Sequence, residues 1–244
     1  MIYHPVIQNT PEWKAMRLGI PCSSEFHRII TPKKMELSAQ RYKLMFRLLA
    51  EWMTGTSVAE ADELRTEYMD RGHELEDRAI AAYEMLTDQE TQPGGFITTD
   101  DGMIGCSPDR LVGTDGDAEL KCPALNTQIK NALLGTLDDD YRCQLQGRLL
   151  IHGREWVDIM PYHPAITIPP VRVVRDDKFI TPLERALKEF VAEMLDKRLE
   201  LERRFGPFVR PSDAEPADHS DDFLNDADAE MIIADRFGNK LSTV

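Results

Sequence analysis

The sequence predicts an α/β protein in which a mixed β-sheet is flanked by α-helices. Two observations support this fold class. Amphipathic helical patterns fill the N-terminal third, and short β-prone segments separated by Gly and Asp turns follow them before helical patterns return. With 244 residues, of which 42% are hydrophobic, the chain can form one large domain with a substantial core.

Three helices are predicted in the N-terminal part. Thr10 followed by Pro11 is a typical helix start, because threonine caps the first turn and proline fits the first helical position. A long amphipathic pattern begins at Ser38 and stops at Gly55. A further charge-rich helix is predicted for about residues 59–87.

The rest of the chain alternates between strands and helices. QPGG at 92–95 breaks the chain, and the segments after it are apolar and rich in β-formers. The predicted elements are strands in FITT, MIGCSPDRLV and AELKC, a helix over 138–153, strands in WVDIMPY and PVRVVR, and a closing helix over about 177–205.

The last part of the chain has a different composition. Residues 211–230 contain eight Asp or Glu and no Lys or Arg, and so carry more than half of the net charge of −14. We therefore predict a folded domain at 1–208 and an acidic, flexible tail at 209–244, in which 230–241 could still dock or form a hairpin.

Cysteine usage and hydropathy exclude several classes of protein. The four cysteines are far apart and form no CxxC pair, which argues against a zinc or iron–sulfur site and suits a reducing compartment. The start of the chain lacks the pattern of a signal peptide, and no apolar run approaches the ~20 residues of a membrane helix. We expect a cytoplasmic protein.

A predicted hairpin carries the first candidate for chemistry. Residues 103–112 and 118–122 are β-prone and flank the turn sequence GTDGD. Side chains alternate along a strand, so Glu119 and Lys121 share one face, and a short hairpin brings that face close to Asp109. Two carboxylates that converge in a cleft repel each other unless a cation lies between them, and a hard divalent cation such as Mg²⁺ suits them.

These residues are part of an ordered set of motifs that resembles a known family. CSPD (106–109) followed by ELKCP (119–123) resembles the PD-(D/E)XK nuclease signature. WKAMRLGIPCSSEF (13–26), RGHELEDRA (71–79) and YRCQLQG (141–147) resemble further motifs of the phage lambda-type exonucleases, also called YqaJ-like viral recombinase nucleases. The resemblance implies a restriction-endonuclease-like core.

The resemblance implies a metal site with two Mg²⁺ ions, for which Mn²⁺ could substitute. Asp109, Glu119 and the Leu120 carbonyl would bind metal, and Glu76 would join Asp109 at a second ion. Two neighbouring ions stabilise both the attacking and the leaving oxygen in phosphodiester hydrolysis.

Two other residues would act beside the metal. Lys121 could serve as a charged group that positions water and stabilises the transition state, which we favour, or as a base with a lowered pKa. Gln144 matches the glutamine that lies near the active site in the family, whereas Gln146 would be a packing or DNA-backbone residue, since residues two apart on a helix face different ways.

The resemblance also implies residues that bind the substrate. Arg17, Ser24 and Ser107 would form a pocket for the 5′-terminal phosphate, and an arginine fork with hydroxyl donors suits a phosphate dianion. Met69 stands where the family uses an apolar side chain to split the terminal base pairs, although a methionine on a helix stripe is more often part of a core.

The activity implied is 5′-to-3′ digestion of one strand of linear duplex DNA to mononucleotides, which leaves 3′ overhangs. The family would also imply a ring-shaped homotrimer around DNA, a phage single-strand annealing protein as partner, and a phage- or prophage-encoded protein in a bacterial cytoplasm. Two alternatives stay open: a PD-(D/E)XK endonuclease of the restriction or repair type, and a non-catalytic DNA-binding recombination scaffold. The acidic tail would be a solubilising extension, which we favour, or a mimic of DNA.

Overall fold

A computed structural model describes residues 1–58, 67–135 and 139–208, with side chains for all of these except 67–74 and 140. The acidic tail and its segment 230–241 lie outside the described residues, as does the part of the predicted third helix before residue 67. The boundary between domain and tail therefore stays a prediction.

The helices of the described ranges are α1 (Pro11–Arg17), α2 (Arg41–Thr54), α3 (Glu67–Thr87), α4 (Leu125–Leu134), α5 (Asp140–His152) and α6 (Asp177–Phe205), together with a 3-10 helix at Ser23–Arg28. The strands are β1 (Ile2–His4), β2 (Thr91–Pro93), β3 (Phe96–Thr98), β4 (Gly105–Cys106), β5 (Arg110–Val112), β6 (Gly116–Lys121), β7 (Trp156–His163), β8 (Ile166–Thr167) and β9 (Val171–Val174). No helix in these ranges combines the length and the apolarity that a membrane span needs.

The predicted helix signals are found where they were expected. Thr10 caps α1, and its Oγ1 accepts a hydrogen bond from the Trp13 N–H at 3.3 Å. Gly55 ends α2 in the left-handed conformation, with φ +64°, which a residue with a Cβ adopts only with strain. The long closing helix is α6, and the Asp176 side chain caps its first turn.

The central sheet is mixed, as predicted. Its strand order is β2-β5-β6-β7-β8, and β9 also pairs with β7. β6 and β7 run parallel, whereas β5 and β6 run antiparallel. A second sheet has the order β1-β3-β4. α3 packs on β6 and β7 through Ala79 and Tyr83, so this helix covers part of the central sheet.

The prediction of one continuous strand over residues 103–112 is wrong. β4 pairs with β3 in the smaller sheet, and β5 pairs with β6 in the central sheet. Residues 107–109 connect them, because Pro108 has no N–H to donate to a ladder and restricts the residue before it. The signature motif therefore joins the two sheets.

Other elements also differ from the sequence-based prediction. QPGG was expected to break the chain, but Thr91–Pro93 forms β2, an edge strand in which a proline is tolerated. α4 was not predicted, and it begins after Ala124 without a side-chain cap, so the sequence lacks a start signal there. The two-residue strand β8 is too short to show a period.

Candidate active site

Asp109 directly precedes β5, next to the end of the β5–β6 ladder. The pairing of the two strands reaches Ala118, opposite Arg110, so the backbone of Leu120 extends beyond it. The Leu120 N–H donates to Asp109 Oδ2 at 2.7 Å. Because the N–H and the C=O of one strand residue face the same edge, the Leu120 carbonyl also faces the Asp109 side of β6.

Glu119 is almost fully buried, and its carboxylate is bound by three polar side chains. Lys121 forms an ion pair with Oε1, and Gln144 Nε2 donates to the same oxygen at 2.7 Å. Arg148 Nη1 pairs with Oε2. The structure thus brings together Asp109, Glu119, Lys121 and Gln144, four of the residues that were selected from the sequence.

Three buried residues behind Glu119 were missed by the sequence analysis. Arg148 Nη2 donates to Asp117 Oδ1 at 2.5 Å and to the Ala118 carbonyl at 3.3 Å. His152 Nε2 lies 2.5 Å from Asp117 Oδ2. The sequence did contain a signal for these residues. Arg148 is four residues after Gln144 and therefore shares its helix face, and Asp117 is two residues before Glu119 and therefore shares its strand face.

The two carboxylates differ in protonation. Burial and the nearby charge of Glu119 raise the pKa of Asp109 to about 7. Burial also disfavours the charged form of Glu119, but Lys121 and Arg148 hold the pKa of that carboxyl below its usual value. Although burial works against it, the pKa of Lys121 is raised by Glu119 and Asp109. Around neutral pH, Glu119 is therefore an anion, Lys121 is a cation, and Asp109 exchanges a proton.

The donor set fits a hard divalent cation. Burial and the neighbouring charge of Glu119 both disfavour the anionic form of Asp109, and a bound cation would counter that repulsion. Two carboxylates with a carbonyl are ligands that Mg²⁺ and Mn²⁺ accept. No three His, Cys, Asp or Glu side chains in the described part of the chain gather closely enough to hold a metal. Asp109, Glu119 and the Leu120 carbonyl are the groups that would hold an ion here.

Glu76 does not form a three-carboxylate group with Asp109 and Glu119 among the described residues. It is half-buried on α3, the helix that packs on β6. Its predicted part in a second metal site stays a prediction. Met69 also lies on α3, but its side chain is outside the described set, so its predicted role as a wedge is not tested.

Two of the predicted phosphate-binding residues are linked through a tryptophan. The Arg17 guanidinium stacks on the Trp13 ring, 4.0 Å from its centroid, and both side chains line a cavity of about 230 Å³. Trp13 Nε1–H donates to Ser107 Oγ at 3.0 Å. Ser24 is exposed on the 3-10 helix, next to Glu25, which also lines the cavity.

Gln146 is a packing residue. Its Nε2 donates to the Val174 carbonyl at 2.8 Å, and its Oε1 accepts from the Asp176 N–H at 2.9 Å. These bonds join α5 to β9 and to the start of α6. The side chain is almost fully buried, so the open choice between packing and contact with the DNA backbone is decided in favour of packing.

Comparisons with known proteins agree with the motifs. The model of the YqaJ-like viral recombinase domain matches residues 12–155. The crystal structure of an alkaline exonuclease from Laribacter hongkongensis, LHK-Exo, is similar with a TM-score of 0.71 and 32% identity over 80% of this chain and 97% of that one. The same exonuclease in complex with dAMP matches with a TM-score of 0.71 and 31% identity, over 80% of this chain and 97% of that one.

A phage-related exonuclease from Haemophilus somnus 129PT shares the fold, with a TM-score of 0.54 and 16% identity over 73% of this chain and 96% of that one. Among curated proteins, none is similar enough to count as a match. The mixed sheet flanked by helices is thus the fold of the alkaline exonuclease, as the sequence predicted.

Proposed function

Because the chain belongs to the YqaJ-like viral recombinase family of nucleases, we propose that it is a metal-dependent 5′-to-3′ exodeoxyribonuclease. It would digest one strand of linear duplex DNA to mononucleotides and leave 3′ overhangs. The observation that carries the proposal is the convergence of Asp109, Glu119 and Lys121 beside the backbone of Leu120, beyond the end of the β5–β6 ladder. The complex of LHK-Exo with dAMP, a mononucleotide, supports the proposed product class.

The residues present would hold a divalent cation through Asp109, Glu119 and the Leu120 carbonyl. A bound Mg²⁺ or Mn²⁺ supplies a Lewis acid for the scissile phosphate and lowers the pKa of a coordinated water. Gln144 keeps Glu119 Oε1 in place by donating to it at 2.7 Å. A second ion, held with the help of Glu76, belongs to this proposal because the family resemblance implies it.

Lys121 would stabilise charge in the reaction. Its amine is paired with Glu119, and the two neighbouring carboxylates keep its pKa above the usual value. A protonated amine can orient water and stabilise the additional negative charge on the phosphate in the transition state, but it cannot accept a proton. This supports the orienting role over the role of a base.

The proposed pocket for the 5′ phosphate comprises Arg17, Ser107 and Ser24. Its support is a chain of contacts in which the Arg17 guanidinium stacks on the Trp13 ring and the Trp13 N–H donates to Ser107 Oγ. Ser107 is only two residues before Asp109 in the sequence. A phosphate held there would lie near the catalytic carboxylates. The pocket would favour phosphorylated ends and draw each new end forward after cleavage, and Met69 would separate the terminal base pairs.

The assembly and the cellular setting are proposed on the family resemblance. A ring-shaped homotrimer would enclose DNA, and the net charge of −14 makes such topological linkage useful, because overall charge does not hold this protein on DNA. A phage single-strand annealing protein would load on the exposed 3′ strand. The protein would work in the cytoplasm of a bacterial host.

The test is digestion of end-labelled linear duplexes, with and without a 5′ phosphate, in Mg²⁺ or in chelator. We expect labelled mononucleotides from the phosphorylated 5′ end, slower release from the unphosphorylated end, and none in chelator. A closed circular duplex should remain intact. Cleavage of the circle would instead establish the endonuclease alternative, and DNA binding without any cleavage would establish the scaffold.

A further inference from the structure

Three polar side chains of α5 face two carboxylates of β6. Gln144, Arg148 and His152 are spaced by four residues and meet Glu119 and Asp117 of β6. Gln144 and His152 are about 12 Å apart along the helix, whereas Asp117 and Glu119 are only about 6.6 Å apart along the strand, so the central side chain, Arg148, contacts both carboxylates. The helix therefore contacts the same strand face three times in succession.

Arg148 is the central contact of this series. Its side chain is fully buried, and its two terminal nitrogens reach one oxygen of Glu119 and one of Asp117. An arginine fork offers five N–H donors in fixed directions, so this one side chain contacts two carboxylates and a carbonyl. Among the described residues, Arg148 Nε has no hydrogen-bond partner. The guanidinium thus forms its ion pairs through the two terminal nitrogens that face the carboxylates.

We infer that Arg148 is a positioning residue of the candidate metal site, and that Asp117 and His152 hold Arg148 in turn. The contact of Arg148 with Oε2 fixes the carboxylate of Glu119. Glu119 is followed in β6 by Leu120, whose carbonyl is the other candidate ligand on this strand. This inference rests on the proposed function and deepens it, since it names the residues that orient a metal ligand. Residues that orient a ligand typically affect metal affinity or activity by about 10–100-fold.

A purely structural role is the competing explanation, and the chain offers a matched control for it. Arg172 contacts both oxygens of Asp158, at 2.8 and 2.9 Å, and links β9 to β7. Its side chain is 48% exposed. Lysine at either position keeps the positive charge and loses the fork. R148K and R172K therefore make the same chemical change, but only the first is next to Glu119.

The experiment measures Mn²⁺ binding to the full chain without DNA by isothermal titration calorimetry, after urea unfolding has shown that each variant is folded. We expect R148K to raise the Kd for Mn²⁺ by about 10–100-fold and R172K to change it by less than about twofold. In Mg²⁺ titrations of digestion, R148K should need more metal for half-maximal rate, while the KM for DNA ends stays unchanged. Wild-type affinity in folded R148K overturns the inference.

A second pair of variants decides the matter if R148K does not fold. H152A removes the contact with Asp117 Oδ2, and H152Q supplies an amide N–H in its place. We expect a several-fold rise in the Kd for Mn²⁺ with H152A and recovery toward the wild-type value with H152Q; equal affinities in all three proteins overturn the inference. If the wild-type protein itself binds no Mn²⁺, the proposed metal dependence fails and the inference fails with it. Wild-type binding together with unaffected variants rejects the inference alone.

Discussion

The backbone N–H of Leu120 donates to the carboxylate of Asp109 at 2.7 Å, although eleven positions separate the two residues. The contact exists because the β5–β6 ladder ends at Ala118 and leaves the next N–H on that edge to a side chain. It places Asp109 beside the residue whose carbonyl would be a third metal ligand. The main chain of β6 thus organises the candidate site.

Substitution of Asp109 by Asn should abolish digestion while the protein still binds DNA. The amide keeps the shape and an oxygen for the Leu120 N–H, but it cannot supply a negative charge to a cation. We expect the rate of digestion to fall by more than about 100-fold, because loss of a residue that only orients a metal ligand already lowers activity by up to that factor. Gel-based digestion and fluorescence anisotropy with the same duplex measure the two properties.

The matched control is D158N, which changes a buried carboxylate of the same sheet that lies outside the site and is held by Tyr83 and Arg172. Any loss of rate in D158N should follow its loss of stability in urea. A D109N protein that digests DNA at the wild-type rate would contradict the assignment of the metal site.

Metal affinity should depend on pH with a bend near 7. The pKa of Asp109 is raised to about 7 by burial and by Glu119, and a carboxyl group must lose its proton to bind a cation. Below this pKa, each unit of pH should therefore weaken Mn²⁺ binding by up to about tenfold, whereas above it the affinity should be constant.

Calorimetry between pH 5.5 and 8.5 in two buffers of different ionisation enthalpy checks this prediction. It should detect release of up to about one proton per bound ion on the acid side and little release above pH 8. A Kd that is constant over the whole range would show that Asp109 does not titrate in competition with the metal.

Much of the helical structure could be predicted, because its signals are local. The helix start at Thr10, the helix end at Gly55 and the start of the closing helix near Asp177 can be recognised directly in the sequence. The split of the signature segment at Pro108 and the uncapped start of α4 after Ala124 depend on which strands are neighbours in the fold. Contacts between segments that are distant in the chain produce no periodic pattern in the sequence, so these two features could not be predicted from it.

The candidate site was predictable where its residues lie on one strand or carry a motif. Asp109, Glu119 and Lys121 follow from hairpin spacing, and Gln144 from the resemblance. Arg148 was missed because a fully buried arginine is rare, and helix periodicity alone does not say which face of α5 meets β6. Only the packing of that helix turns Arg148 into a contact of Glu119.

Substitution of Gly147 by Ala should damage the site from a distance. A Cβ at this position would lie 2.3 Å from Cδ2 of Phe26, so α5 or the 3-10 helix would have to move. Overpacking of this kind costs about 1–3 kcal/mol. Because α5 carries both Gln144 and Arg148, we expect lower stability in urea together with weaker Mn²⁺ binding. The double variant F26L/G147A frees space for the methyl group and should recover part of the metal affinity; equal affinity in G147A and the wild type would show that α5 is not displaced.

Trp13 offers a test of end recognition that separates a hydrogen bond from a stacking contact. W13F keeps an aromatic ring under the Arg17 guanidinium but removes the N–H that donates to Ser107 Oγ at 3.0 Å, whereas W13L removes both contacts. If the contacts assemble a phosphate pocket, the preference for a phosphorylated over an unphosphorylated 5′ end should decrease in W13F and decrease further in W13L. Loss of a single hydrogen bond corresponds to about 0.5–1.5 kcal/mol, or roughly a two- to twelvefold change in that preference.

The ratio of the initial rates on the phosphorylated and the unphosphorylated duplex measures this preference. Because both substrates are cut by the same protein, a general loss of stability cancels from the ratio. An unchanged ratio in W13L would mean that the 5′ phosphate is bound elsewhere on the protein.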